Sequence, residues 1–250
     1  MKTFVLVPGA WLGAWVWNKV TPLLEREGNI VFPITLTGMG ERVHLYSNEF
    51  GIETTVRDIL NVIKFNQMKD VILVGHSFAS KVVASVADRI SERIKMIIYL
   101  DTFRPEKVRT PQLSFIPDEF GELGQWQTTV PFTDNVLKMI GDDVAGDDKE
   151  WMHSLATPWP LRYATDPIVL SEKFDAVLRY ATDPIVLSEK FDAVKSAHIF
   201  CTRSGSDVNE IIAGKWGKIE GDYKIIDSGH FPMVTKPDET AKALLELSGG

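Results

Sequence analysis

The chain contains a single cysteine, Cys201, among 250 residues. That excludes an intrachain disulfide and suits a reducing compartment. No dense run of Lys or Arg occurs, and 27 basic residues face 34 acidic ones for a formal charge of −7. A nucleic-acid or anionic-membrane surface is not what such a balance produces. No apolar run approaches the length of a membrane span. The N-terminal MKTFVLVPGAWLGAWVW starts like a signal peptide, but Pro8 and Gly9 interrupt the apolar run after Val7, and no small-residue cleavage site follows. It reads as mature sequence of a cytoplasmic protein.

What is present is ordinary soluble composition, with 44% apolar and 24% charged residues, in a length that fits one large domain. Short β-branched runs recur at Phe4–Val7, Asn29–Thr35, Val71–Gly75, Met96–Leu100, His198–Thr202 and Tyr223–Asp227. Several are almost wholly apolar, as parallel strands covered on both faces are. Helical patterns lie between and after them at Trp17–Glu27, Thr54–Asn66, Ser80–Arg89 and Thr240–Leu247. The alternation predicts an α/β fold, a mostly parallel sheet flanked by helices. From Thr102 to Lys195 the rhythm stops, and Phe115, Phe120, Trp126, Phe132, Met139, Trp151 and Trp159 accumulate. An insertion of that length predicts a helical cap over residues 103–195, placed before the penultimate strand, with the core formed by 1–102 and 196–250.

The strongest local signal is DVILVGHSFAS, Asp70 to Ser80: a buried strand, a tight Gly75-His76-Ser77-Phe78-Ala79 turn, then an amphipathic helix. Strand, turn and helix in this order form the setting of a nucleophile elbow, and they point to Ser77 as the nucleophile. Ala79 stands where the pattern has Gly. A serine needs a base. Of the five histidines, His230 follows the last strand in YKIIDSGHFPM, which gives the required order Ser, acid, His. His76 is expected to point away around the elbow, and His198, at the start of an apolar strand, to be structural. Two carboxylates compete for the acid: Asp207, after the strand HIFCT, is the first choice, and Asp101, at the end of IIYL, is the alternative. For an oxyanion hole, the backbone amides of Phe78, next to the nucleophile, and Ala10, in the VPGAW loop, are the candidates.

Beyond these motifs, FVLVPGAWLGAWVWNKVTPLLE, TLTGMGERVHL, VILVGHSFAS, YLDTFRPE and SGHFPMVTKPDE resemble the α/β-hydrolase superfamily. Within it they are most similar to bacterial esterases related to plant methyl-ester esterases and hydroxynitrile lyases. The resemblance covers both ends of the chain and the core, and only loosely the cap. It implies a serine carboxylesterase with a Ser–His–acid triad, a small helical cap and no cofactor or metal. The resemblance carries over Ser77, His230 and the amides of Ala10 and Phe78. Two departures matter. Pro8-Gly9 replaces a His-Gly of many relatives, and the lyases' oxyanion-loop Thr and post-histidine Lys read here as Gly9 and Phe231. The lyase reading therefore ranks below ester hydrolysis, as does a ligand-binding protein with little turnover. Small hydrophobic or aryl esters are the expected substrates, with Trp11, Phe115, Phe120, Trp126 and Phe231 as pocket residues. Neither nucleic acid nor membrane is an expected partner; a second copy of the chain, joined through the cap or the repeat, is.

The repeat is LRYATDPIVLSEKFDAV, which occupies Leu161–Val177 and then, unchanged and without a linker, Leu178–Val194. Two copies do not make a solenoid. Seventeen residues at about 100° each do not return to one helical face. The expectation is that one copy docks and the other is displaced, with Leu187, Phe191 and Val194 forming the apolar face of the second.

Overall fold

The apolar runs pair as one parallel sheet in the computed structural model, which describes residues 1–105, 128–165, 187–204, 208–213 and 219–249. Strands β1 (Thr3–Val7), β2 (Ile30–Pro33), β3 (Val71–His76) and β4 (Ile94–Leu100) come first, and β5 (Thr129–Val130) and β6 (Trp159–Pro160) form a separate antiparallel pair. Strands β7 (Lys195–Cys201) and β8 (Asp222–Ile226) complete the main sheet in the order β2-β1-β3-β4-β7-β8. Every residue of β3 is buried, because helices cover both faces of a parallel sheet. All six main strands fall where the β-branched runs predict them. The β5–β6 pair lies inside the stretch read as free of strands; at two residues each, these strands are too short to leave an alternation.

Helix α1 (Thr21–Arg26) is shorter than the pattern over Trp17–Glu27 suggests. Pro22 stands in its first turn, where a missing N–H costs nothing, and Ala14–Trp17 form a 3-10 turn instead. Helix α2 (Ile52–Phe65) buries Ile52, Val56, Ile59 and Ile63 at helical spacing. Helix α3 (Ala79–Arg89) buries Val82, Val83 and Val86. A Cβ on Gly75 would lie 2.7 Å from a Val83 methyl, so only glycine lets β3 and α3 come this close. Among the described residues no helix is long and apolar enough to cross a membrane.

Between β4 and β7 the inserted segment carries the β5–β6 pair and helices at Asp134–Ile140, Gly146–Leu155, Leu161–Thr165 and Glu189–Asp192. It rests on the ends of the sheet strands through specific bonds. Trp11 Nε1 donates to Val130 O at 2.9 Å, Thr157 N to Trp11 O at 3.0 Å and His230 N to Ile140 O at 2.7 Å.

Among the described residues, both copies of the repeat contribute docked side chains. From the start of the first, Tyr163 is fully buried and its hydroxyl donates to Thr37 O at 2.6 Å, while Arg162 reaches Asn48 O at 2.9 Å. From the end of the second, Leu187, Phe191 and Val194 are buried. Ser188 is held by Asp88, whose Oδ1 accepts from Ser188 N at 2.8 Å. Arg104 donates to Phe191 O and Val194 O at 2.9 and 3.1 Å and lies over the Phe191 ring at 4.2 Å. The described contacts thus come from both copies, where one docked copy was expected; residues 166–186 of the repeat, Leu170, Phe174, Val177 and Leu178 among them, lie outside the described residues.

Candidate active site

The sheet brings the sequence-predicted residues to the C-terminal ends of β1, β3, β4 and β8, the end at which crevices form in open α/β sheets. Ala10 follows β1, Ser77 follows β3, Asp101 follows β4 and His230 follows β8. Three of the non-glycine residues with positive φ stand here: Trp11 at 66°, Ser77 at 57° and Asp101 at 48°. Left-handed backbone is costly for such residues, and outliers of this kind gather at functional sites. Ser77 is buried, its amide donates to Leu100 O at 3.2 Å, and its carbonyl accepts from Ser80 N at 3.0 Å. Both bonds fix the turn that presents the hydroxyl.

His230 is buried, and its Nδ1–H donates to Asp101 Oδ2 at 2.5 Å. The carboxylate at the imidazole is therefore that of Asp101, the alternative in the sequence reading; Asp207, the first choice, lies outside the described residues. Asp101 is itself held, since its Oδ1 accepts from Cys201 N and Ser204 Oγ, both at 3.0 Å. Its signal in the sequence was its place directly after IIYL. What sequence could not show is that β4 and β8 bracket β7, with β7 supplying the Cys201 amide that holds the carboxylate.

His76 departs from expectation. It does not point away but is fully buried, and its Nε2–H donates to His230 O at 2.8 Å, with the two rings 4.6 Å apart. Burial holds its pKa well below the ordinary histidine value, and the neighbouring His230 lowers it further. It stays neutral and acts as a donor to the backbone.

The amides of Ala10 and Phe78 donate to no acceptor among the described residues. A Cβ on Gly9 would lie 3.1 Å from the Ser77 Cβ and 2.6 Å from His76 Nδ1, so the loop after β1 packs directly on the nucleophile turn. Backbone donors left without an acceptor are the type of group that can bind an anionic oxygen.

Around them lies an aromatic cluster. Trp11 packs on Phe132 and Trp159 at centroid distances of 5.9 and 5.6 Å, and Phe78 packs on Trp159 at 5.2 Å. Trp159 and Phe132 were read only as cap aromatics. Phe231, expected in the pocket, is buried behind the imidazole, 5.4 Å from the His230 ring and 5.9 Å from His76. Phe115, Phe120 and Trp126 lie outside the described residues. Cys201 is buried, and burial together with the Asp101 carboxylate pushes its thiol pKa well above the ordinary value. His198 stacks between Tyr99 and Phe200 at 5.2 and 5.3 Å, where burial lowers its pKa to about 4.

The α/β hydrolase family profile matches residues 4–243 of this chain. A carbendazim hydrolyzing esterase of Nocardioides is 44% identical over 106 residues, 42% of this chain and 44% of that protein. Methylesterase 9 of Arabidopsis thaliana is 32% identical over 116 residues, 46% of this chain and 45% of that protein. The chain thus spans less than half the length of these curated relatives. An extracellular α/β-hydrolase of a Paenibacillus species superposes with a TM-score of 0.77 at 18% identity, with both chains fully covered.

Proposed function

The chain belongs to the α/β hydrolase family, and from that premise we propose that it is a serine carboxylesterase in which Ser77, His230 and Asp101 form the triad. The observation that carries the proposal is the Asp101–His230 bond at the strand end next to Ser77. With Nδ1 donating to the carboxylate, Nε2 carries the lone pair, which is the tautomer a general base needs. His230 takes the Ser77 proton as the oxygen attacks the ester carbonyl. The amides of Ala10 and Phe78 receive the oxyanion. The imidazolium, stabilised by Asp101, then protonates the departing alcohol, and water repeats the cycle on the acyl-enzyme.

The described part of the insertion between β4 and β7 serves as a cap over this centre, and Trp11, Phe78, Phe132 and Trp159 provide an aromatic wall suited to small hydrophobic or aryl esters. The similarity to a carbendazim hydrolyzing esterase and a methylesterase supports ester cleavage. The lyase alternative finds no cation next to the imidazole in sequence, since Phe231 is apolar and buried. The lone, buried Cys201 supports a cytoplasmic location.

Intact mass after treatment with a fluorophosphonate tests the proposal. One adduct on the wild type and none on Ser77→Ala is the expected outcome. An unmodified wild type, or an adduct that persists in Ser77→Ala, would overturn it.

A further inference from the structure

We infer that Asp143 is a positioning residue for the catalytic imidazole, a carboxylate of the cap that fixes the backbone on which His230 stands; the inference builds on the esterase reading. Asp143 follows the helix Asp134–Ile140, and its side chain is 7% exposed. Its Oδ2 accepts from Gly229 N at 2.9 Å. In the same turn, Ile140 O accepts from His230 N at 2.7 Å. On the far side His76 donates to His230 O. The peptide groups on both sides of His230 are thus tied, two of the three bonds coming from the cap and one from the core.

Arg203 closes the arrangement. Its guanidinium lies 3.6 Å from Asp143 Oδ2 and donates to Asp227 O at 3.2 Å, and its amide donates to Ser228 O at 3.0 Å. The loop 227–230 is therefore held throughout. Gly229 fits because nothing larger does. A Cβ there would lie 2.3 Å from Asp143 Oδ1 and 3.2 Å from the Gly141 Cα.

Asp143 Oδ1 is buried and has no hydrogen-bond partner among the described residues. A buried carboxylate oxygen left unpaired is a poor choice for stability alone. It is reasonable where the other oxygen sets a geometry. The imidazole must receive a proton from Ser77 and hand it to the leaving group without shifting, and a displacement near 1 Å at a reacting group is worth about 100-fold in rate. Asp143 supplies that constraint from the cap, so docking of the cap and alignment of the base are one event.

The test compares Asp143→Ala, Asp143→Asn and Gly229→Ala in the full chain, using p-nitrophenyl acetate turnover, thermal unfolding and the His230 Nδ1 proton resonance. Asp143→Ala and Gly229→Ala should each lower kcat on the order of 10- to 100-fold, with KM within about twofold of wild type. In both, the downfield ring-proton resonance should broaden or vanish. Asp143→Asn keeps an acceptor for Gly229 N and should stay within about fivefold of wild type. Unchanged kcat in Asp143→Ala, or an Asn variant as impaired as the Ala variant, would overturn the inference. If Asp143→Ala does not fold, Gly229→Ala decides on the same criteria. The resonance needs no ester turnover, so an inactive wild type would count against the esterase reading while the ring proton still reports on Asp143.

Discussion

Replacing Asp101 by Asn should disable the base by imposing the wrong tautomer on it. Cys201 N can only donate, and it points at Asp101 Oδ1 from 3.0 Å. In the variant the amide oxygen must take that position, which turns the NH2 group toward His230 Nδ1. Nδ1 then has to accept, the ring proton moves to Nε2, and Ser77 meets a donor where it needs a base. Recovering the productive tautomer requires turning the amide over and leaving the buried Cys201 N–H unpaired, at about 1–3 kcal/mol. Losing the carboxylate's support of the imidazolium adds about 2–3 kcal/mol. Together the two effects are worth about 3–6 kcal/mol, a loss of roughly 10²- to 10⁴-fold in kcat. The assay is steady-state turnover of a p-nitrophenyl ester, with thermal unfolding showing that the variant is folded. A folded Asp101→Asn variant within tenfold of wild type would refute the reasoning, and a large loss in Asp207→Asn instead would move the acid there.

Two further outcomes follow from the electrostatics and the repeat. His198 falls from an ordinary value of 6.5 to about 4 in the folded chain, so the unfolded state binds the extra proton between these values and stability falls as pH drops through that window. The loss between pH 7 and pH 5 is about 2 kcal/mol for this group. His198→Phe, which keeps the stack with Tyr99 and Phe200, should remove that share of the acid sensitivity in urea unfolding, and parallel pH curves for the two proteins would contradict it. Deleting Leu161–Val177 leaves LRYAT and LSEKFDAV, the portions described as docked, four residues apart instead of twenty-one. The first packs on α2 and the second on α3, which pack on each other, and four extended residues span about 13–14 Å, so the shorter linker is expected to join them. The shortened chain should fold with unchanged kcat by the same ester assay; an unfolded or inactive product would show that the added length is needed.

Strands β1, β3, β4 and β7 were legible because parallel strands buried on both faces leave unbroken apolar runs; the edge strands β2 and β8, partly exposed, were legible from their β-branched and aromatic residues alone. Ser77 and His230 could be named as candidates because the elbow and the chain order are local or ordinal signals. Asp101 was harder to identify. Its qualification is spatial: it needs β7 beside β4 and the amide of Cys201 within reach, and no spacing along the chain encodes that. His76 misled for a similar reason, since an elbow residue can turn inward only if a carbonyl such as that of His230 waits there. Which copy supplies each described contact was hidden because identical copies cannot be told apart by sequence; contacts to Thr37, Asn48, Asp88 and Arg104 separate them.

Three backbone outliers at the strand ends also bear on how this protein could be made more robust. Left-handed backbone at Trp11, Ser77 and Asp101 costs about 1–2 kcal/mol per residue, against a total stability for a domain of about 5–15 kcal/mol. Selection for heat resistance alone would find its cheapest gains by placing glycine at these positions. At 77 and 101 that would remove the proposed nucleophile and the proposed acid. Thermal hardening and turnover therefore pull against each other at the mouth of the sheet, and stabilising changes are better sought away from it, in the connections at the opposite edge.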